Sequence, residues 1–559
     1  MSLRQLLSQR LPARVLVVAG VLLLFRLWLA AVMPMTGDEA YFYYWGLIPD
    51  WGFYDHPPMV GWWLAALLGI ADSEWVLRLP VLLLPLPLAV AAAWLVAGTT
   101  SSAPPVVEAA EVEAQGARGE ARRSGKGEAE DGQNALALAA AAAENAAERG
   151  AWAAMLVLLA PLSVWNVFIT TDTPLIFFSM LSVVAYVAAI RSQSLPLHAL
   201  AGLFLGLAFL SKYFAVLLGI AIVVHVLALR RDGQRWSGLA LLVAVALLGP
   251  ALNIWWNAEH CWANILFNLY NRHEDAGLSW KTPLIYLATL VYVLTPFAFF
   301  YLARYRREAL AAVRGDAGLA AVLCLAAVPF ALFAALSSVK LIGLHWLLSF
   351  VPLVFVVAAA ALPLPALRRL VGWTAALAVA HVALIITLAL LPLSTWSQTR
   401  QYDGLVLTFK TQELLAELQP YEKDYVFASD GYSNAVTLGY NARRYFLVFG
   451  EGSSHARHDD ILTDFRELDG KNILVLRKSA PTEQSRREEY QPYFHEVEYR
   501  SVSVAGVSYY LILGRGFDYG AYRSGVLRKI KEKFYRIPAF LPIGACYFGD
   551  RYFPGEPCR

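Results

Sequence analysis

Apolar windows of roughly 17 to 25 residues, the length that crosses about 30 Å of hydrocarbon as a helix, recur through the first 394 residues. About eleven can be drawn: 14–33, 75–97, 150–166, 174–190, 197–211, 213–229, 237–258, 282–303, 316–336, 342–362 and 371–394. A 559-residue chain that is 58% hydrophobic and only 16% charged cannot hide so much apolar surface in a soluble core, so the bilayer must be its solvent. A formal charge of +3, with the basic residues set between apolar windows and not along a stripe, excludes an electrostatic nucleic-acid binder. The first window is long enough to span and has no small-residue cleavage pattern after it, so it reads as a retained helix and not a signal peptide.

Lys and Arg in short loops are held in the cytoplasm, which orients the windows. Arg4, Arg10 and Arg14 place the amino terminus inside. Alternation then puts Arg191, the Arg230, Arg231 and Arg235 group, the Arg304, Arg306, Arg307 and Arg314 group, and Arg368 with Arg369 in inner loops. Outer loops hold only Lys212, Arg272, Lys281 and Lys340. An odd number of crossings leaves everything after residue 394 outside. The fold expected is a polytopic α-helical membrane domain over 1–394, followed by a small extracytoplasmic α/β domain with an aromatic tail over 395–559. In the latter, the β-type runs DYVFAS, NILVLR and SYYLILG are spaced by polar or helical stretches. Residues 101–134 are too polar to fold alone and read as a flexible cytoplasmic loop, with an Ala-rich helix after it. The short apolar stretch after Pro58 reads as an interfacial or re-entrant helix on the outer side. The four cysteines show no CxxC spacing; Cys546 and Cys558 are placed to pair if the tail is extracytoplasmic, and pairing and free thiols both stay open.

The first outer loop, MTGDEAYFYYWGLIPDWGFYDHPPMVGWW, gathers Asp38, Glu39, Asp55 and His56 among aromatic residues. Carboxylates beside a membrane are costly to dehydrate unless paired, metal-bound or used, which sets this loop apart from a hydrated surface loop. Asp172, in TTDTPL, begins another window at its outer end, where capping the helix and taking part in chemistry are compatible. Lys212, in the tight SKYF turn, is either a snorkelling lysine or a cation for a phosphate. Lys340 and His345, in SSVKLIGLHW, form a comparable outer pair. His225 and His381 lie within apolar windows away from acids and read as packing residues. The outer loop EHCWANILFNLYNRHEDAG could cover the site as a lid or be an ordinary surface loop.

GDEAYFYYW, YDHPP, TTDTPL, SKY and the late HW, in that order on one membrane face, resemble the GT-C superfamily of polyprenyl-phosphate-sugar-dependent glycosyltransferases. Within it the chain is most similar to bacterial relatives of the protein O-mannosyltransferases, including the lipid A aminoarabinose and galacturonic acid transferases. The resemblance covers roughly residues 14–394. It implies that Asp38 is the general base for an acceptor hydroxyl, with Glu39 its neighbour and possible substitute, and that Asp172 orients the acceptor or assists. Asp55 and His56 stand where relatives carry Glu-Lys before the proline, a pair associated with a divalent metal and the donor phosphate. Exchanging Lys for His makes the cationic role depend on protonation, so Asp55 is a metal-ligand candidate and metal use stays open. His56, Lys212, Lys340 and His345 would hold the donor phosphate.

The implied reaction is inverting transfer of a sugar from a polyprenyl-phosphate donor to a hydroxyl of a lipid (lipid A or lipopolysaccharide) or protein acceptor, on the outer face of the bacterial inner membrane. A phosphate leaving group and one hydroxyl to deprotonate call for cations and a carboxylate, not a nucleotide fold. No GxGxxG or P-loop is present, so no nucleotide cofactor is expected. The alternative is a transporter or flippase for lipid-linked sugars. Such proteins set ionisable groups near the midplane in interrupted, repeated helices, whereas these acids cluster at outer helix ends.

Overall fold

The computed structural model describes residues 12–99, 127–271, 277–453 and 455–558. Arg4, Arg10, Arg272 and most of the 101–134 segment lie outside the described residues.

Helix occupies every apolar window, but not always as one straight rod. Six described helices are long and apolar enough to cross a bilayer: Ala13–Val32, Glu74–Gly98, Asp172–Ser192, Arg235–Glu259, Ala317–Ser337 and Leu364–Leu390. Leu195–Phe209 and Ala215–Ala228 have only 15 and 14 residues, which at about 1.5 Å per residue falls short of about 30 Å. The 282–303 window breaks into Lys281–Leu294 and Pro296–Arg304, which meet at 87°. Thr295 at the break has φ of 66° and caps the second helix through its hydroxyl, and Pro296 has no N–H with which to continue the first. The 342–362 window starts with a single turn, Leu344–Leu347, and becomes α-helical only at Val351–Ala361. The Ala-rich stretch continues into the third window as one helix, Gly127–Leu159, with Pro161–Trp165 after it. Met59–Leu68 is the short helix after Pro58.

The long helices share one core, with Tyr186, Leu218, Leu325 and Leu353 fully enclosed in it. His225 and His381 are satisfied within it: the Tyr186 hydroxyl lies 2.8 Å from His225 Nδ1 and the Tyr292 hydroxyl 3.1 Å from His381 Nε2.

Beyond residue 394 the chain builds a five-stranded sheet in the order β2-β1-β3-β5-β4. Its strands are β1 Val426–Ser429, β2 Leu447–Val448, β3 Ile473–Arg477, β4 Phe494–Val504 and β5 Val507–Phe517. β1 runs parallel to β2 and β3, while β5 is antiparallel to β3 and β4. The β4–β5 hairpin closes through Ala505 and Gly506, with φ of 48° and 80°. Two positive φ values in a two-residue loop match the twist of the strands.

The crossover from β1 to β2 is the helix Tyr432–Ala442, and it packs on the outer helix Gly37–Leu47. Two glycines permit the approach: a side chain at Gly37 would run into Ser433, and one at Gly439 into the Tyr44 hydroxyl. The aromatic tail folds back onto the outer loop after Glu259. There Trp262 Nε1 donates to the Pro542 carbonyl at 2.8 Å, and Cys261 forms a disulfide with Cys546. Cys546 therefore pairs with Cys261, not with Cys558, whose Sγ lies 2.8 Å from that of Cys546. Sequence spacing could not reveal a partner 285 residues away.

Candidate active site

Thr36-Gly37-Asp38-Glu39 starts the outer helix with a capping box. The Thr36 hydroxyl accepts from the Glu39 N–H at 3.4 Å, and Glu39 Oε2 accepts from the Thr36 N–H at 3.0 Å. This fixes the directions of two adjacent acids: Glu39 turns inward and Asp38 outward.

Glu39 is fully enclosed. Arg78 donates to it twice, from Nε at 2.9 Å and from Nη2 at 2.8 Å, and the Ile169 N–H reaches Oε1 at 3.0 Å. Arg78 also donates to the carbonyls of Ala30, Met33 and Pro34. A bidentate, buried pair with both carboxylate oxygens occupied positions its neighbours; it is not open to a substrate hydroxyl. Glu39 thus ties the Asp38 turn to the segment three residues before Asp172.

Asp38 is exposed, and its Oδ1 accepts a long hydrogen bond of 3.4 Å from the Tyr432 hydroxyl. Loss of hydration beneath the sheet region raises its carboxyl above the ordinary value; the Tyr432 bond opposes this and Glu39 adds to it. Asp55 is buried, with Oδ1 accepting from the Tyr41 hydroxyl at 3.2 Å. Tyr41 in turn accepts the His458 N–H at 3.3 Å, and its ring lies 5.5 Å from that of Tyr432. Asn264 and Asn268 donate to the carbonyls of Phe53 and Asp55, so the outer loop clamps the YDHPP turn. His273, Glu274 and Asp275 of that loop lie outside the described residues.

Asp172 is the first residue of its helix, yet its carboxylate turns to Lys212. Nζ lies 2.9 Å from both oxygens, and both side chains are buried. The expected acceptor-side acid and the expected phosphate cation are therefore partners of each other. His345 is exposed and Lys340 half-buried. Their loop borders the Lys212 turn, because Trp346 packs 4.4 Å from Phe214, whose ring lies 5.6 Å from Lys212 Nζ.

The sheet region contributes residues that the sequence did not single out. Tyr432 reaches Asp38, Tyr440 reaches Glu74 at 3.3 Å, and Arg443 reaches Asp72 at 3.1 Å. His458 is buried against Phe53, with ring centroids 5.0 Å apart, and among the described residues its Nδ1 has no hydrogen-bond partner. Burial lowers its imidazole to about 3. Asp459 beside it is pushed up by burial and by Asp460, which is itself paired with Arg457 at 2.9 Å.

A model of the dolichyl-phosphate-mannose-protein mannosyltransferase family matches residues 135–256, the segment that includes Asp172 and Lys212. Lipid A galacturonosyltransferase RgtD of Rhizobium johnstonii is 25% identical over 288 residues, which is 50% of this chain and 52% of that protein. The chain thus aligns with about half the length of this curated relative. Over 89% of this chain and 98% of the other, the structure superimposes on ArnT from Cupriavidus metallidurans in the apo state, with a TM-score of 0.57 and 14% identity. The chain shares the membrane fold of ArnT. The ArnT structure bound to undecaprenyl phosphate superimposes with a TM-score of 0.54 over the same coverage.

Within this fold, the groups around Asp55 decide whether a divalent ion fits there. One of its oxygens takes the Tyr41 hydroxyl, and the other lies 3.9 Å from His56 Nε2. Among the described residues no three His, Cys, Asp or Glu side chains converge as a metal site. One carboxylate and one imidazole fall short of the oxygen-rich set that a hard cation takes.

Proposed function

We propose that this protein is an inverting membrane glycosyltransferase. It moves a sugar from a polyprenyl-phosphate donor to a hydroxyl of a lipid A-type acceptor, on the outer face of a bacterial inner membrane. The observation that carries this reading is the outward carboxylate of Asp38, held by the Glu39–Arg78 pair next to the turn that leads to the Asp172–Lys212 pair. Asp38 supplies an accessible carboxylate, and the Ile169 N–H on Glu39 links its turn to the segment that carries the Asp172–Lys212 pair. The names of the relatives support the substrate classes: one acts on lipid A, and the solved neighbour is bound to undecaprenyl phosphate.

In this reaction the acceptor hydroxyl loses its proton to Asp38 as its oxygen bonds the anomeric carbon. The bond from that carbon to the phosphate oxygen breaks with its electron pair, releasing polyprenyl phosphate, and one displacement inverts the centre. Lys212, His56, Lys340 and His345 supply donors for the departing phosphate. Asp172 holds Lys212 in place, and Glu39 holds the turn. The amino terminus is cytoplasmic and the sheet region extracytoplasmic in this reading.

The test is transfer by the purified protein in lipid, given polyprenyl-phosphate sugars with lipid A or with a protein acceptor. Product with lipid A that is lost in Asp38→Asn is the expected result. Product with the protein alone replaces the acceptor class, and no product from any donor overturns the enzyme reading.

A further inference from the structure

The sheet region is more than a cover over the membrane helices. Its crossover helix Tyr432–Ala442 lies on Gly37–Leu47 at a distance set by two glycines, so Tyr432 arrives at the Asp38 end of the interface. Docking is fixed on both sides of it. Tyr44 donates to the Arg444 carbonyl at 3.2 Å, Arg443 pairs with Asp72, and the His458 N–H meets Tyr41. Tyr432 and Tyr41 form a pair of rings between two acids, one hydroxyl on Asp38 and the other on Asp55. Both phenols are held in their protonated, donating form, chiefly by burial.

We propose that Tyr432 is a positioning residue for the transfer reaction: supplied by the soluble sheet region, it donates to Asp38 and aims that carboxylate at the acceptor hydroxyl. The proposal rests on the transferase reading above. The Tyr432–Asp38 bond is long at 3.4 Å, and hydrogen bonds to a reacting group tighten as the reacting complex forms. A consequence is that the active site is complete only when the sheet region is docked.

The titratable groups that act on Asp38 are Glu39, on its own helix, and Tyr432, on the opposing one. Glu39 is committed to Arg78, so removing the Tyr432 hydroxyl takes away the bond that, among the described residues, favours the charged form of Asp38. Tyr432→Phe keeps the ring and its packing. The expected result is a rise of about 0.5 to 1 pH unit in the acid limb of kcat/KM, with KM for the donor unchanged. The same rise is expected in a readout that needs no turnover: the pH midpoint of carbodiimide labelling at Asp38 in the full-length protein, read by peptide mass spectrometry. Tyr41→Phe, which alters the Asp55 side, serves as the control and leaves the Asp38 midpoint in place. An unmoved Asp38 midpoint in Tyr432→Phe overturns the proposal even if transfer is robust. A shifted midpoint in a protein that transfers no sugar upholds the Tyr432–Asp38 coupling and overturns the transferase reading instead.

Discussion

Lys212 Nζ sits 2.9 Å from each carboxylate oxygen of Asp172, forty residues away in the chain, with both side chains buried. Such a pair is strongly destabilising to break from one side, since the remaining charge stays buried without its partner. Lys212→Met and Asp172→Leu are each expected to cost about 3–5 kcal/mol, and the double variant much less than the sum. Chemical unfolding in detergent reads the coupling. In the proposed reaction transfer fails in all three, because Lys212 is lost or misplaced.

Neighbouring acids should separate cleanly by assay. Asp38→Asn is expected to lower kcat by roughly 10²- to 10⁴-fold, the usual worth of a positioned proton acceptor, while the melting temperature stays within a few degrees. Glu39→Gln should instead lower stability, because Arg78 loses its only enclosed carboxylate among the described contacts. Equal thermal stability in the two variants, measured in the same detergent, contradicts this division of roles.

His458 gives the sheet region a dependence on pH with a definite sign. Burial holds its imidazole near about 3, so the folded protein keeps it neutral while the unfolded chain takes up a proton below about 6.5. The unfolded state binds more protons in that interval, and stability is lost as pH falls through it. Asp459 acts in the opposite sense, since a raised carboxyl pKa favours the folded state at the acid end. His458→Gln is expected to reduce the loss between pH 7.5 and pH 5 by about 2 kcal/mol. Unfolding midpoints at the two pH values check it.

The three clustered cysteines make a mapping prediction. Non-reducing peptide analysis should return Cys261 joined to Cys546, with Cys558 available to alkylation only after unfolding. In Cys261→Ser the Cys558 thiol, 2.8 Å from Cys546, becomes the available partner, and a Cys546–Cys558 linkage should replace the native one under oxidising conditions. A native Cys546–Cys558 linkage in the unaltered protein contradicts the structure.

What the sequence disclosed and withheld follows from physical range. Long apolar windows are a local property, and helix was found in all of them, although the break at Thr295 hides in an unremarkable Thr-Pro step. Strands β1, β3 and β5 announce themselves as β-branched or aromatic runs. Strand β4 does not, because as an edge strand it interleaves Glu, Arg and Ser with its apolar residues, Glu496, Glu498 and Arg500 on one face and Ser501 and Ser503 on the other. The acids of the first outer loop were visible as a cluster, and Thr36 three residues before Glu39 carried the capping-box signal for which of the two turns inward. Arg78 sat unnoticed inside an apolar window, where its burial is the clue. Nothing local could link Tyr432 to Asp38 across 394 positions.

The Cys261–Cys546 bond also constrains how the intervening chain threads the membrane. Two residues joined by one bond lie on one side, so the number of crossings between them is even. Ala317–Ser337 and Leu364–Leu390 are each long enough to cross once and contribute two. The bent pair Lys281–Leu294 with Pro296–Arg304, and the short helix Val351–Ala361, are the other apolar elements described in that interval. Parity forbids one of them to cross without the other: either the broken helix and the short helix both reach the far side, or both turn back.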